Sequence, residues 1–375
     1  MKSNTKISIL IPDGESHVLY YVVNCFAKSG GVKLYVMSDK KNNYMRYSRH
    51  IQKFLYHTEN NKESRWIKVI DENVEKYNID LVFPIFETAI RSLIKNRDKL
   101  KNRDKLYALP SLQNFDAACD KEFLYKHLLN TNLSYPLGSV AKPGEIPNLN
   151  NLKYPIIAKP VNGSGGGVGI KVLKNYNEVL QYCERNPFEC NIIFQEYING
   201  YDVCSNVLCE NGEILACTMQ KGIAYENGEE TYQVAFDFID NKDLYENTLS
   251  LMKSLNWMGV ANIDWRYDID SNEFRVIEIN PRYWYNTDAS AIVGVNFPYL
   301  SCINFLKQDI PTQDINLITF YNLKGFIKKF KKNPLIIFKI RFLQKQTPLF
   351  YAFSDPMPMI HKFLWRTKNI VFGSN

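Results

Sequence analysis

A mixed fold, part α/β and part α+β, is what this chain of 375 residues predicts, and three observations carry that expectation. Residues 6 to 110 alternate strand-like and helix-like segments. A glycine-rich stretch near residue 163 sits between two short β-branched runs. Two acids, Asp264 and Glu278, are embedded in apolar runs that read as neighbouring strands. Alternation of the first kind builds βαβ units around a parallel sheet, whereas strands joined by tight turns build hairpins.

In chain order, Ile7 to Ile11 is the first strand, because its apolar run follows a basic start but is cut at Pro12 and Asp13, too early for a signal peptide. A helical stretch from His17 to Ser29, a strand from Lys33 to Met37, a helix from Ser64 to Tyr77 and a strand from Leu81 to Phe86 complete the alternation. The hexamer Lys-Asn-Arg-Asp-Lys-Leu occurs twice in tandem, at 95 to 100 and 101 to 106, and reads as a local duplication in an exposed helix, since two copies make no solenoid. Apolar residues at helical spacing predict a helix from Asp120 to Leu129, and Pro136, Pro143, Gly144 and Pro147 mark a loop-rich transition. After the glycines come a helix from Glu178 to Arg185, a strand from Ile192 to Ile198, strand material to Met219 and a helix from Asp243 to Leu255. The pattern closes with strands around Ala261 to Arg266 and Arg275 to Asn280, joined by a turn at Asp268 to Asn272.

Hydrophobic content of 45% with 23% charged residues is that of a globular protein, not a disordered one. Eight cysteines are scattered without a Cys-x-x-Cys pair, which disfavours structural zinc and a disulfide scaffold. No apolar stretch reaches the length of a membrane span, so the cytoplasm is the expected location. Charge is uneven: residues 324 to 375 hold eleven Lys/Arg against the single acid Asp355, leaving a net −3 in the first 323 residues. Apolar residues interleave with those cations at Phe326, Phe330, Leu335, Ile336, Ile337, Phe338, Phe342, Leu343, Phe350 and Phe353. Such a tail reads either as a helical appendage packed on the body with its lysines in solvent, or as a surface for peripheral contact with an anionic membrane. Nucleic acid is not expected, because no recognised module accompanies the charge.

The glycine-rich stretch, Gly163-Ser164-Gly165-Gly166-Gly167-Val168-Gly169, follows Ala158-Lys159-Pro160. Glycine lets successive N–H groups approach and point at anionic oxygens, and a nearby lysine adds formal charge. The Walker loop places its lysine after the glycines, whereas here it precedes them; the dinucleotide fingerprint fails at Val168 and Ile170. With strands on both sides, the stretch reads as a hairpin tip over a nucleotide. On its own it fits a ligand-free surface hairpin as well.

A second constellation narrows the choice. Glu278 and Asn280 are two apart in a strand and so project to one side, and a hairpin turn brings Asp264 within reach of both. Two carboxylates and an amide oxygen are hard ligands suited to magnesium, which bridges nucleotide phosphates, and Arg282 adds a guanidinium for those phosphates.

Together these motifs resemble the ATP-grasp enzymes, of the carbamoyl-phosphate-synthase-like or biotin-carboxylase-like branch, over about residues 1 to 310. The resemblance implies a Rossmann-like pre-ATP-grasp domain at 1–115 and an ATP-grasp domain at 116–310. Within the latter it implies a small flap subdomain over about 140–198 and a large one over about 199–310, with a basic aromatic helical extension at 311–375. It implies that Lys121 and Lys159 contact ATP phosphates, that Gly163, Ser164, Gly165, Gly166 and Gly167 form the flap, and that Gln195, Glu196, Tyr197 and Ile198 form the hinge. Adenine would be held by main-chain groups of Glu196 and Ile198, and the ribose hydroxyls by Asp202. Asp264, Glu278 and Asn280 match the magnesium ligands, two ions being expected and manganese an acceptable substitute, and Arg282 matches the arginine beside the transferred phosphate.

The activity so implied is ligation of a small carboxylate to an amine or thiol through an acylphosphate, with ADP released. Alternatives are a synthase forming carbamoyl or carboxy phosphate and a non-catalytic ATP-binding regulatory protein. No biotin-carrier segment follows and a full carbamoyl-phosphate synthase has two such units, so a stand-alone single unit is expected, with homodimer formation left open. Lys221, Trp284 and Tyr285 depart from the family pattern and either shape the acceptor pocket or serve as packing.

Overall fold

The computed structural model describes residues 6–58, 63–162, 169–185, 189–226 and 233–372. Two compact units, each discontinuous in sequence, divide the chain: Met1–Leu112, Met258–Val260 and Arg282–Asn375 form one, Gln113–Trp257 and Ala261–Pro281 the other.

In the first unit, β1 (Ile7–Ile11), α1 (Leu19–Ser29), β2 (Val32–Ser38), β3 (Ile51–Tyr56), α2 (Glu63–Tyr77), β4 (Leu81–Val82) and α3 (Glu87–Lys95) realise the expected alternation. The strands lie in the order β3-β2-β1-β4, all parallel. Ile67, Ile70 and Val74, one apolar face of α2, pack with Leu10, Met37 and Val82. The last strand is shorter than expected. The Phe83 N–H still donates to the Leu10 carbonyl at 2.8 Å, and beyond it a side chain replaces the ladder: the buried Asp13 carboxylate accepts from the N–H groups of Ile85 at 3.1 Å and Phe86 at 2.8 Å.

The tandem hexamer departs from expectation too, since α3 stops at Lys95 and each copy forms a 3-10 turn, Arg97–Lys99 and Arg103–Lys105. Each turn delivers a leucine, Leu100 and Leu106, into the same core. On a continuous helix two residues six apart point about 120° away from each other, so breaking the helix is what lets both enter. Asp71 pins the junction, accepting from the backbone N–H groups of Lys101 and Asn102, each at 3.1 Å.

The second unit contains α4 (Leu112–Cys119) from Gln113 on, α5 (Lys121–Leu128), β5 (Gly138–Ala141), β6 (Ile156–Pro160), β7 (Lys171–Leu173), α6 (Tyr176–Arg185) and β8 (Ile192–Glu196), then β9 (Gly200–Glu210), β10 (Glu213–Tyr225), β11 (Gln233–Ile239), α7 (Lys242–Ser254), β12 (Gly259–Asp268) from Ala261 on and β13 (Glu273–Asn280). Asp120 caps α5, its carboxylate accepting from the N–H groups of Glu122 and Phe123 at 2.8 and 3.0 Å, and so fixes where Lys121 starts the helix. A small antiparallel sheet runs β5-β8-β6-β7, with α6 packed on it through Val179 and Cys183. In a larger sheet β13-β12-β9-β10-β11 lie side by side, the pairs β12–β13, β9–β10 and β10–β11 antiparallel.

The remainder of the first unit is α8 (Thr287–Ile292), α9 (Phe297–Phe305), β14 (Thr319–Tyr321), α10 (Leu323–Lys332), α11 (Ile340–Gln346), α12 (Leu349–Ser354) and α13 (Pro356–Phe372). Asp288 on α8 is fully buried, with one oxygen accepting from Asn24 Nδ2 at 2.8 Å, and burial pushes its carboxyl up to about 7. A folded pKa above the unfolded 3.8 favours the folded state at low pH, and that advantage is lost as pH rises from about 4 through about 7. Asp288→Asn is therefore expected to raise the melting temperature at pH 8, by a few kcal/mol in stability terms, and to change it little at pH 5; equal effects at both pH values would contradict the assignment.

Candidate functional site

In the second unit, β12 and β13 form the hairpin that the sequence suggests, and Asp264 stands in register opposite Glu278, with Asn262 opposite Asn280. Period-two projection then places Glu278 and Asn280 together. The Asn280 Nδ2 lies 3.1 Å from Asp264 Oδ2 and 3.5 Å from Glu278 Oε1. Two lysines act on these acids. Lys121, first residue of α5, puts its ammonium 3.2 Å from Glu278 Oε2, and Lys159, on β6, is buried at 6% exposure.

Charge couples the members of this cluster. Burial pushes Lys159 down to about 8, with Glu278 and Asp264 opposing the shift and Lys121 adding to it. Burial pushes the Glu278 carboxyl up, but Lys121 and Lys159 outweigh it and the pKa settles below the ordinary carboxylate value. Near pH 7 the cluster therefore holds an ionised glutamate paired with Lys121 and attracted to Lys159, an arrangement that suits anions at the lysines and cations at the carboxylates.

Asn280 belongs to a ladder of amides that crosses the sheet. Its Nδ2 donates to Asn262 Oδ1 at 3.1 Å, Asn262 Nδ2 donates to Asn206 Oδ1 at 3.0 Å, and Asn206 Nδ2 donates to Thr218 Oγ1 at 3.3 Å. A hydroxyl accepts or donates with equal ease, so the ladder can run in reverse, and reversal turns the Asn280 oxygen toward the two carboxylates. That yields three hard oxygens at one point, a donor set that fits magnesium. Among the described residues no group of three or more His, Cys, Asp and Glu side chains could hold a metal, so two carboxylates and an amide are the set that the fold offers.

Next to this cluster stands Arg266, which sequence reasoning missed. Its Nε donates to the Ile198 carbonyl at 2.7 Å, one Nη to Asp202 Oδ1 at 2.7 Å and the other to the Gly200 carbonyl at 2.9 Å, and the guanidinium sits 5.6 Å from the Tyr197 ring centroid. Gly200 is required here, because a Cβ would collide with the Tyr267 carbonyl. The signal was present as a period-two run, Asn262-x-Asp264-x-Arg266, of polar residues in an otherwise apolar strand. Replacing Arg266 by Met leaves an acid and two carbonyls without their donor, and a loss of about 2 to 3 kcal/mol is the expected outcome, read as a lower urea midpoint; an unchanged midpoint would show the latch to be unimportant.

The remaining expected residues fall as follows. Gln195, on β8, is buried and donates to the Pro136 carbonyl at 3.2 Å. The Glu196 N–H donates to the Leu137 carbonyl at 2.9 Å, while the Leu137 N–H goes to the Glu196 side chain at 3.0 Å. The Tyr197 N–H donates to the Pro155 carbonyl at 3.3 Å. Gly163, Ser164, Gly165, Gly166 and Gly167 lie outside the described residues. Lys221 places its ammonium 3.7 Å from the Tyr201 ring centroid.

Arg282 belongs to the first unit. There its Nε pairs with Glu87 Oε1 at 3.0 Å and its guanidinium lies 5.1 Å from the Phe86 ring centroid. Tyr285 stacks on His17, with centroids 4.8 Å apart. Trp284 is buried and meets Phe297 edge-on, so of the aromatics after Arg282 it serves as packing.

Comparison with known proteins adds the following. A family model described as ATP-grasp domain matches residues 118–284. The chain is 29% identical over 182 residues to a carbamoyl phosphate synthase large chain of Lachnoclostridium phytofermentans, covering 46% of this chain and 17% of that protein. It is 25% identical over 171 residues to a D-alanine–D-alanine ligase of Aquifex aeolicus, covering 43% of this chain and 57% of that protein. The chain thus spans less than two thirds of the length of these curated relatives. Among solved structures it is similar to the N5-carboxyaminoimidazole synthetase of Staphylococcus aureus complexed with ADP, with a TM-score of 0.65 at 16% identity, over 89% of this chain and 87% of that one.

Proposed function

We propose, from the ATP-grasp domain that this chain carries at residues 118–284, that it is an ATP- and magnesium-dependent ligase joining a small carboxylate to an amine or thiol through an acylphosphate. The observation that carries this reading is the meeting of Lys121, Asp264, Glu278 and Asn280 within 3.5 Å contacts of one another, beside the buried Lys159 whose charge couples to both acids. In this reading the two lysines take the phosphate oxygens. The Glu196 carbonyl and the Ile198 N–H serve adenine, and Asp202, steadied by Arg266, takes the ribose hydroxyls. Asp264, Glu278 and Asn280 hold magnesium, which when bound neutralises and orients the triphosphate. Phosphoryl transfer needs positioning and charge neutralisation more than covalent chemistry.

The balance of the reaction is simple: a carboxylate oxygen attacks the γ-phosphorus, ADP leaves, and an amine then displaces phosphate from the acyl carbon with loss of a proton. Similarity to a D-alanine–D-alanine ligase supports a carboxylate and an amine as the substrate classes. Similarity to a carbamoyl phosphate synthase large chain supports a second reading in which bicarbonate is the phosphorylated acid. All eight cysteines are free thiols, which suits the reducing cytoplasm, where ATP and magnesium are abundant.

The test is incubation with magnesium, ATP, hydroxylamine and a panel of small carboxylates. A hydroxamate with equal ADP supports the ligase. ADP release dependent on bicarbonate alone supports the second reading, and nucleotide binding without turnover across a broad panel counts against both.

A further inference from the structure

The basic C-terminal segment does not bury its apolar residues as a packed appendage would. Ile336 and Tyr351 enter the core of the first unit, and the Asp355 carboxylate is buried, accepting from Ser48 Oγ at 2.5 Å. His361 stacks on Tyr47, with ring centroids 3.5 Å apart. These contacts anchor the segment; Phe326, Phe330, Phe342 and Leu343 are half-buried, and a central stretch stays outside. From Lys331 to Arg341 every residue but Ile336 is exposed, including Leu335 at 68%, Phe338 at 74% and Ile340 at 65%. Phe353 and Phe363 extend the same character into α12 and α13.

We propose that this segment docks on an anionic lipid surface, with Leu335, Ile337, Phe338 and Ile340 entering the acyl boundary and Lys331, Lys332, Lys339 and Arg341 meeting the headgroups. Charge complementarity selects the occupant. Eleven cations face one acid between residues 324 and 375, and that acid is already used inside the fold. The apolar residues are carried by a proline-led turn, Pro334–Phe338, and the start of α11. Their side chains do not form the single i, i+3, i+4 stripe that a shaped protein groove reads, but a fluid interface accepts them without regard to register. Of the four inserting side chains only Phe338 offers a ring for bases to stack on, while Leu335, Ile337 and Ile340 are aliphatic, which favours lipid over a nucleic acid. Among the described residues no helix is long and apolar enough to cross a membrane, so the segment lies on the surface.

The experiment is flotation of the full chain with vesicles of phosphatidylcholine alone and of phosphatidylcholine mixed with phosphatidylglycerol. Recovery with the anionic vesicles should exceed that with neutral ones by at least about tenfold and fall as salt shortens the Debye length. The double variant Phe338→Ser/Ile340→Ser should lose most of the binding. The triple variant Lys331→Gln/Lys332→Gln/Lys339→Gln should lower partitioning by about a hundredfold. Both should keep the wild-type circular dichroism and melting temperature, since the replaced side chains are exposed. Flotation of either variant at the wild-type level, equal recovery with neutral vesicles, or no flotation of the wild type would overturn the proposal.

Discussion

Glu278→Gln should lower ATP-dependent turnover by about a thousandfold, the upper range for removing one preorganised charge at a transferring group. The substitution keeps the shape of the side chain and removes only its charge. In the wild type that charge stands opposite Asp264 across β12 and β13, pairs with Lys121 at 3.2 Å and raises Lys159 against the effect of burial. The neutral amide therefore does damage twice. It deprives the proposed magnesium site of one of two carboxylates, and it leaves two ammonium groups sharing one remaining acid. Asp264→Asn should act in the same direction. The measurement is steady-state ADP release on the substrates found by hydroxylamine trapping, with a circular dichroism spectrum to show that the fold persists. Turnover within tenfold of wild type would mean that Glu278 is not at the reacting centre.

Lys159→Met should separate binding from stability, raising the concentration of ATP needed for half-maximal rate by at least about a hundredfold while making the protein more stable at neutral pH. The sign follows from the pKa. Burial lowers Lys159 to about 8 against about 10.4 in an unfolded chain, so folding below pH 8 must bury a charge, at a cost on the order of 3 kcal/mol. That cost is fully present below pH 8 and is relieved as pH rises from about 8 to above 10. Wild-type stability should thus climb across this window and the variant should stay flat. Nucleotide binding should behave in the opposite way, because the phosphates need the protonated lysine: affinity should weaken as pH passes 8, and binding at pH 8 to 9 should take up a proton from buffer. Calorimetry in two buffers of different ionisation enthalpy reads that uptake directly. A variant that binds ATP normally would remove Lys159 from the site.

Much of the candidate site was legible because period two and one hairpin are local rules. Glu278 and Asn280 are two apart, and a short turn is enough to bring Asp264 opposite them, so three side chains could be placed together from the seventeen residues between 264 and 280. Lys121 and Lys159 lay further off, and no spacing joins them to Glu278; only the resemblance did. Arg266 was missed because an arginine in a strand is commonly a solvated edge residue. What makes it a latch, the Ile198 and Gly200 carbonyls and Asp202, lies more than sixty residues away in sequence.

The fold shows the same division between local and distant causes. The alternation of strands and helices from β1 to α3 could be read in order, whereas the end of β4 could not, since it depends on the Asp13 carboxylate capturing two N–H groups that a longer strand would have paired. The tandem hexamer misled because helix propensity is local, while the demand that Leu100 and Leu106 enter one core is not. In the tail, composition alone left packing and membrane contact open, and the exposure of Leu335, Phe338 and Ile340 is what the proposal of membrane contact rests on.

Lys121, Lys159, Asp264, Glu278 and Asn280 are proposed to form one centre for ATP and its metal. Equilibrium binding of a non-hydrolysable ATP analogue, titrated with and without magnesium into the full-length wild type and an Asp264→Asn/Glu278→Gln double variant, tests it most directly. Binding should be tight and require magnesium in the wild type, and the variant should lose the magnesium dependence. Identical affinities for the two proteins, each indifferent to magnesium, would contradict it.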